Sequence, residues 1–137
     1  MVTKSLFISH SWRYSREYDN LVNLLNSRGF FNFKDYSVPK DDPLYITRGP
    51  AYEKKLKDGI IKQMLFCDVV ILIAGKYVTY SDSIQMELRI ARDMKKPILA
   101  IRPYGAGQTT SLAEMYADEI VNWNADSIVE AIRRLSC

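Results

Sequence analysis

Cysteine is scarce in this chain: two in 137 residues, Cys67 and Cys137. That is too few for a disulfide framework, and the expectation is a reducing, cytoplasmic setting. A single histidine, His10, leaves no zinc-binding pattern. No apolar run approaches the roughly 20 residues that span a membrane, and the apolar part of the opening MVTKSLFIS is too short for a signal peptide. An excess of one charge is also missing. The formal net charge is +3 with the basic residues dispersed, which argues against nucleic acid as a partner. Glycine is sparse as well. Gly105 and Gly107 share a turn-rich loop, but no Lys-Ser/Thr follows them, so a phosphate-binding loop is not indicated. There is no internal repeat. What remains is one domain over residues 1–137 with an ordinary apolar core.

What the chain does have is alternation of strand-like and helix-like stretches. Ser5–Ser9 (SLFIS) and Asp68–Ala74 (DVVILIA) are buried-strand runs, and Ile98–Ile101 is a third. Phe31–Tyr36 and Glu119–Trp123 complete a set of five strands, the last at an edge. Between them lie helical patterns: Ser15 to Arg28, stopped by Gly29; Pro50 to Phe66; Ser81 to Lys95; Leu112 to Ala117; and a last helix capped by Asn124 or Asp126. The pattern predicts an α/β fold, a five-stranded, mostly parallel sheet with helices on both faces. In such folds ligands sit past the carboxyl ends of the strands, where strand order reverses. In the flavodoxin-like order that point lies between the first and third strands.

Glu87 is the residue out of place. At roughly 100° per residue, Ile84, Met86, Leu88, Ile90, Ala91 and Met94 form one apolar arc of their helix. Glu87 projects inside that arc, where a stranded carboxylate is costly. Geometry alone leaves two readings. The carboxylate either serves a cavity at the switch point or merely complements the positive end of the helix dipole. The Ser37–Gly49 segment, polar and holding Pro39 and Pro43, is longer than an ordinary connection and suggests a partner-facing role.

Three stretches together carry a resemblance: LFISHSW at the start, FKDYSVPKDDP after the second strand, and AGKYVTYS through QMELRIA to KKPILAI. In order and spacing they resemble the bacterial TIR-like family, in the branch of the Thoeris antiphage TIR proteins, over nearly the whole chain. The resemblance implies a flavodoxin-like TIR fold. It also implies cleavage of NAD at the nicotinamide–ribose bond, giving ADP-ribose or a cyclic or otherwise modified derivative, with NAD as substrate and no cofactor. Glu87 matches the family's catalytic glutamate. Ser9, His10, Trp12, Asp35, Tyr36, Ser37, Tyr80 and Ser83 are the positions the resemblance offers for substrate contact, with Trp12 or Tyr80 stacking on the base. It further implies self-association, or docking of other TIR domains, through the Ser37–Gly49 loop. One position departs from the family pattern: Ser83 stands where a tryptophan commonly precedes the glutamate by four residues. Two other functions therefore compete. One is a non-catalytic interaction domain; the other is a nucleoside deoxyribosyltransferase-like enzyme.

Overall fold

Consecutive β-branched and leucine side chains leave Val69–Ile73 (VVILI) no wetted face, and the chain uses them as a central strand buried along its whole length. The computed structural model describes residues 3–9, 16–36, 52–74, 82–103 and 111–136. Strands and helices alternate through them: β1 (Thr3–Ser9), α1 (Arg16–Arg28), β2 (Asn32–Asp35), α2 (Tyr52–Met64), β3 (Val69–Ile73), α3 (Asp82–Asp93), β4 (Ile98–Ile101), α4 (Ser111–Tyr116), β5 (Glu119–Val121) and α5 (Ala125–Leu135). The order across the sheet is β2-β1-β3-β4-β5, and every neighbouring pair is parallel. The reversal of order falls between β1 and β3, as in flavodoxin-like sheets.

Register assigns the two faces. β1 sets Leu6 beside Val69, Phe7 beside Val70, Ile8 beside Ile71 and Ser9 beside Leu72. Leu6, Ile8, Ile71 and Leu99 meet Leu21 and Leu25 of α1 and Ile128 and Ile132 of α5. Phe7, Val70, Leu72 and Ala100 meet Ile60 and Met64 of α2 and Ile84 and Leu88 of α3. By the same alternation Ser9, the last residue of β1, belongs to the α2/α3 side. Two aspartates hold this register from the amino ends of the strands. Asp68 accepts the Ser5 amide at 2.8 Å while its own amide donates to the Ser5 carbonyl at 2.6 Å. Asp118 makes the same reciprocal pair with Ile98, at 2.8 Å both ways.

The edge strands are shorter than their apolar patterns suggest. β2 stops at Asp35 because it pairs only with Thr3–Leu6, and β5 stops at Val121. α1 ends at Gly29 with a φ of +77°, a conformation open to glycine. Asn124 caps α5, its side-chain oxygen accepting the Ser127 amide at 3.0 Å; Asp126 instead accepts from Arg28 Nε at 2.9 Å.

α3 ends in a Schellman turn built on lysine. Lys96 N–H donates to Ala91 at 2.9 Å, Lys95 N–H donates to Arg92 at 3.0 Å, and Lys95 itself takes a φ of +59°. A side chain in that conformation costs about 1 kcal/mol relative to glycine. The cation's gain at the helix's carboxyl end is only a few tenths of a kcal/mol. Lys95→Gly should therefore stabilise the protein by about 0.5–1 kcal/mol, read as a higher denaturant midpoint at unchanged slope. A lower midpoint would show that the lysine's charge outweighs its backbone strain.

Cys67, in the turn between α2 and β3, is only 3 % exposed. Burial pushes its thiol up from 9.0 to about 11, with Lys96 opposing part of the shift. The unfolded chain thus releases this proton near pH 9 and the folded chain only near 11. Between those values the folded state holds more protons, so stability falls as pH rises. Tyr18, raised by burial and by its hydrogen bond to Asp35, acts in the same direction at higher pH. Cys67→Ala should be less stable at both pH 8 and pH 10 because it leaves a small void. Its loss between the two should nevertheless be smaller than the wild type's by about 1 kcal/mol in denaturant melts. Equal losses in both proteins would remove Cys67 from the alkaline transition.

Candidate functional site

Among the described residues only two polar side chains are buried, Ser9 and Glu87. Both belong to the same layer. α3 follows β3, so its first turns lie toward the carboxyl ends of the strands, and it packs against β1 and β4 as well as α2 and α4. Glu87 is the sixth residue of α3, about 9 Å along the helix at 1.5 Å per residue. Its neighbours on the inward stripe are Ile84, Leu88 and Ala91, all buried at 0 % exposure, and Glu87 itself is 2 % exposed. An acid that merely complements a helix dipole does so from a wetted first turn. Burial in the second turn is not needed for that task.

Ser9 closes β1 on the same face, one strand from Leu72. Its hydroxyl is fully buried and has no hydrogen-bond partner among the described residues. Leaving such a group unsatisfied costs about 1–3 kcal/mol. A serine rather than an apolar residue directly after the buried Leu6, Phe7 and Ile8 therefore needs a reason beyond packing.

The remaining expected contact residues go different ways. Asp35 accepts a hydrogen bond from the Tyr18 hydroxyl of α1. It sits level with Leu6, on the α1/α5 face of the sheet, so the sheet separates it from Glu87. Tyr36 donates its amide to the Leu6 carbonyl at 2.8 Å. Its ring stacks on Phe66, just beyond α2, with centroids 5.8 Å apart. Ser83 lies in the first turn of α3, one turn before Glu87, with its side chain outside the described residues. His10, Trp12, Ser37 and Tyr80, and the Ser37–Gly49 loop, also lie outside them.

Two clefts lined by described residues open elsewhere. One of about 570 Å³ is lined by Arg92, Lys95, Lys96, Tyr116 and Asp118 and sits at the amino end of β4, the pole away from Glu87. Two of its three cations are engaged: Arg92 donates to the Met115 carbonyl at 2.5 Å and lies over the Tyr116 ring, and Lys96 donates to the Cys67 carbonyl at 2.9 Å. The second, of about 430 Å³, is lined by Arg16, Glu17, Asn20, Pro103 and Trp123 at the carboxyl ends of the strands. Hydrophobic patterning extends the last strand through Trp123 and so hides this cleft. The clue in the sequence is an aromatic directly after a strand's carboxyl end. Among the described residues no group of His, Cys, Asp or Glu is placed to hold a metal, and no helix is long and apolar enough to cross a membrane.

Comparison with known proteins places the fold and the family. The CMP N-glycosidase BcmB of Clostridium botulinum superposes with a TM-score of 0.51 at 14% identity, covering 98% of this chain and 100% of that one. A 3-dehydroquinate dehydratase-like protein from Bifidobacterium longum gives a TM-score of 0.47 at 9% identity, over 99% and 96% of the two chains. No protein of curated function matches in sequence. A family model, that of the Thoeris protein ThsB, TIR-like domain, matches residues 7–108. That span runs from inside β1 to beyond β4 and takes in both Ser9 and Glu87, and the chain belongs to the ThsB TIR-like domain family of the Thoeris defence proteins.

Proposed function

We propose that this protein is an N-glycosidase of antiphage defence that breaks the nicotinamide–ribose bond of NAD, with Glu87 as the catalytic residue. The observation that carries the reading is a buried carboxylate and a buried hydroxyl without a partner among the described residues, both in one layer at the switch point of the sheet. Nicotinamide in NAD is already cationic. When the C1′–N bond breaks, its electron pair leaves with the ring as neutral nicotinamide, and no general acid is required. The charge then sits on an oxocarbenium-like ribose, which a nearby carboxylate stabilises in a site shielded from water. Water adding to C1′, with loss of a proton, gives ADP-ribose; a nucleophile within the same molecule gives a cyclic product. Ser9 is suited to hold a ribose hydroxyl. Asp35 lies on the other face of the sheet, where it accepts the Tyr18 hydroxyl.

The likeness to a CMP N-glycosidase is one of fold, and it shows that this type of sheet is compatible with cleavage of a base–sugar bond. The competing reading is a non-catalytic assembly domain, for which Ser83 in the place of the family's tryptophan is the specific argument. Self-association through the Ser37–Gly49 loop accompanies either reading. The deciding test is incubation of the pure protein with NAD, followed by quantification of nicotinamide and identification of the sugar product. The same assay with a deoxynucleoside and a free base tests the transferase alternative. Nicotinamide released in step with NAD loss supports the proposal; NAD left intact across a wide range of protein concentration overturns it.

A further inference from the structure

The cleft across the sheet from Glu87 has the make-up of a nucleotide-base site. Its walls come from three separate carboxyl-end connections: Arg16, Glu17 and Asn20 open α1 after β1, Pro103 follows β4, and Trp123 follows β5. Trp123 is half-buried. It packs against the apolar layer under α1 and α5 and also lines the cleft, so the ring has firm backing. A backed indole facing an open cleft is a stacking platform that suits the π-face of a base. Asn20 offers a donor and an acceptor side by side, the pairing that reads a purine edge. Glu17 adds an acceptor for an exocyclic amine, and burial raises its carboxyl from the ordinary range. Arg16, exposed at the amino end of α1, is the cation available to that phosphate. A volume of about 430 Å³ accommodates a purine with its sugar.

We propose that this cleft, formed by Arg16, Glu17, Asn20, Pro103 and Trp123, binds the adenine-nucleotide half of a dinucleotide whose other half reacts at Glu87. The inference rests on the NAD reading of the Glu87 site for its second clause only. β1 and β5 are three places apart in the sheet, about 14 Å at the usual strand spacing. A stretched dinucleotide covers such a span, so one ligand can lie over the strand ends with its base against Trp123 and its reacting ribose on the α3 side. This gives the chain a way to hold a dinucleotide without relying on Ser83 for a stacking surface.

The experiment is calorimetric titration of the full chain with AMP and with CMP, alongside Asn20→Ala, Arg16→Ala and Trp123→Leu. We expect saturable AMP binding, weaker binding of CMP, and at least about a tenfold loss of AMP affinity in Trp123→Leu. Asn20→Ala and Arg16→Ala change exposed side chains and should keep the fold, so they carry the test if Trp123→Leu does not fold. Absence of saturable AMP binding, equal binding of CMP, or AMP binding unmoved by Asn20→Ala and Arg16→Ala overturns the site. The two proposals fail separately. If AMP binds as described but NAD is never cleaved, the cleft stands and the glycosidase reading falls. If NAD is cleaved with a KM that Asn20→Ala and Arg16→Ala leave unchanged, the reaction stands and the cleft falls.

Discussion

Glu87→Gln should lower nicotinamide release by about a hundredfold or more, because roughly 3 kcal/mol of electrostatic stabilisation of the ribosyl cation disappears with the charge. Glutamine keeps the length and shape of the side chain, so packing against Ile84, Leu88 and Ala91 is preserved. The melting temperature should stay within a few degrees of the wild type's. A residue serving only the helix dipole would behave in the opposite way. Its amide variant would lose a few tenths of a kcal/mol of stability and leave turnover alone. Nicotinamide release and thermal melting measured on the same two proteins separate these outcomes. A fully active, slightly destabilised Glu87→Gln would place the chemistry elsewhere.

Ser9→Ala should do something less common and become more stable while losing activity. The hydroxyl is buried without a partner among the described residues, and removing it relieves a desolvation cost of the order of 1 kcal/mol. The methyl that remains joins Phe7, Leu72 and Ala74 in the same apolar layer. If the hydroxyl holds a ribose hydroxyl during reaction, turnover should fall roughly tenfold or more, the worth of one or two kcal/mol in the transition state. Denaturant melts and steady-state kinetics on one preparation give both numbers. A variant that gains stability and keeps its kcat would make Ser9 a packing defect and nothing more. Ser9→Thr should retain part of the activity while overfilling the layer, which distinguishes loss of the hydroxyl from loss of fit.

How much of this was legible in the sequence depends on how local the determinant is. The VVILI run and the apolar arc of α3 announce themselves within a dozen residues, and the alternation of such stretches carries the parallel sheet and its switch point. Glu87 was visible for the same reason: one charge in a helical stripe needs no knowledge of the rest of the molecule. Asp35 shows the limit. Its spacing from Phe33 places both on one side of β2, but which side meets α1 is decided by pairing with β1, some thirty residues away. That the Ser9 hydroxyl has no partner among the described residues is likewise a property of what packs around it and has no signature in SLFIS. Trp123 looked like the end of a strand because an apolar pattern does not say where pairing stops.

α3 is pinned at the pole away from Glu87. Below Glu87, Arg92 ties the helix to the carbonyl of Met115, and beyond its end Lys96 reaches the carbonyl of Cys67. These fastenings join α3 to the connections before β5 and β3, on the pole remote from the crevice. The height of the carboxylate above the sheet is thus set from beneath, at the pole away from the switch point. If Glu87 is the reacting group proposed above, a lineage built this way can exchange, lengthen or shorten the connections at the crevice, and so change what is admitted, without re-aiming that carboxylate. Diversification of substrate and product is thereby separated from preservation of the reacting geometry, which is of use to a defence protein whose opponents keep changing.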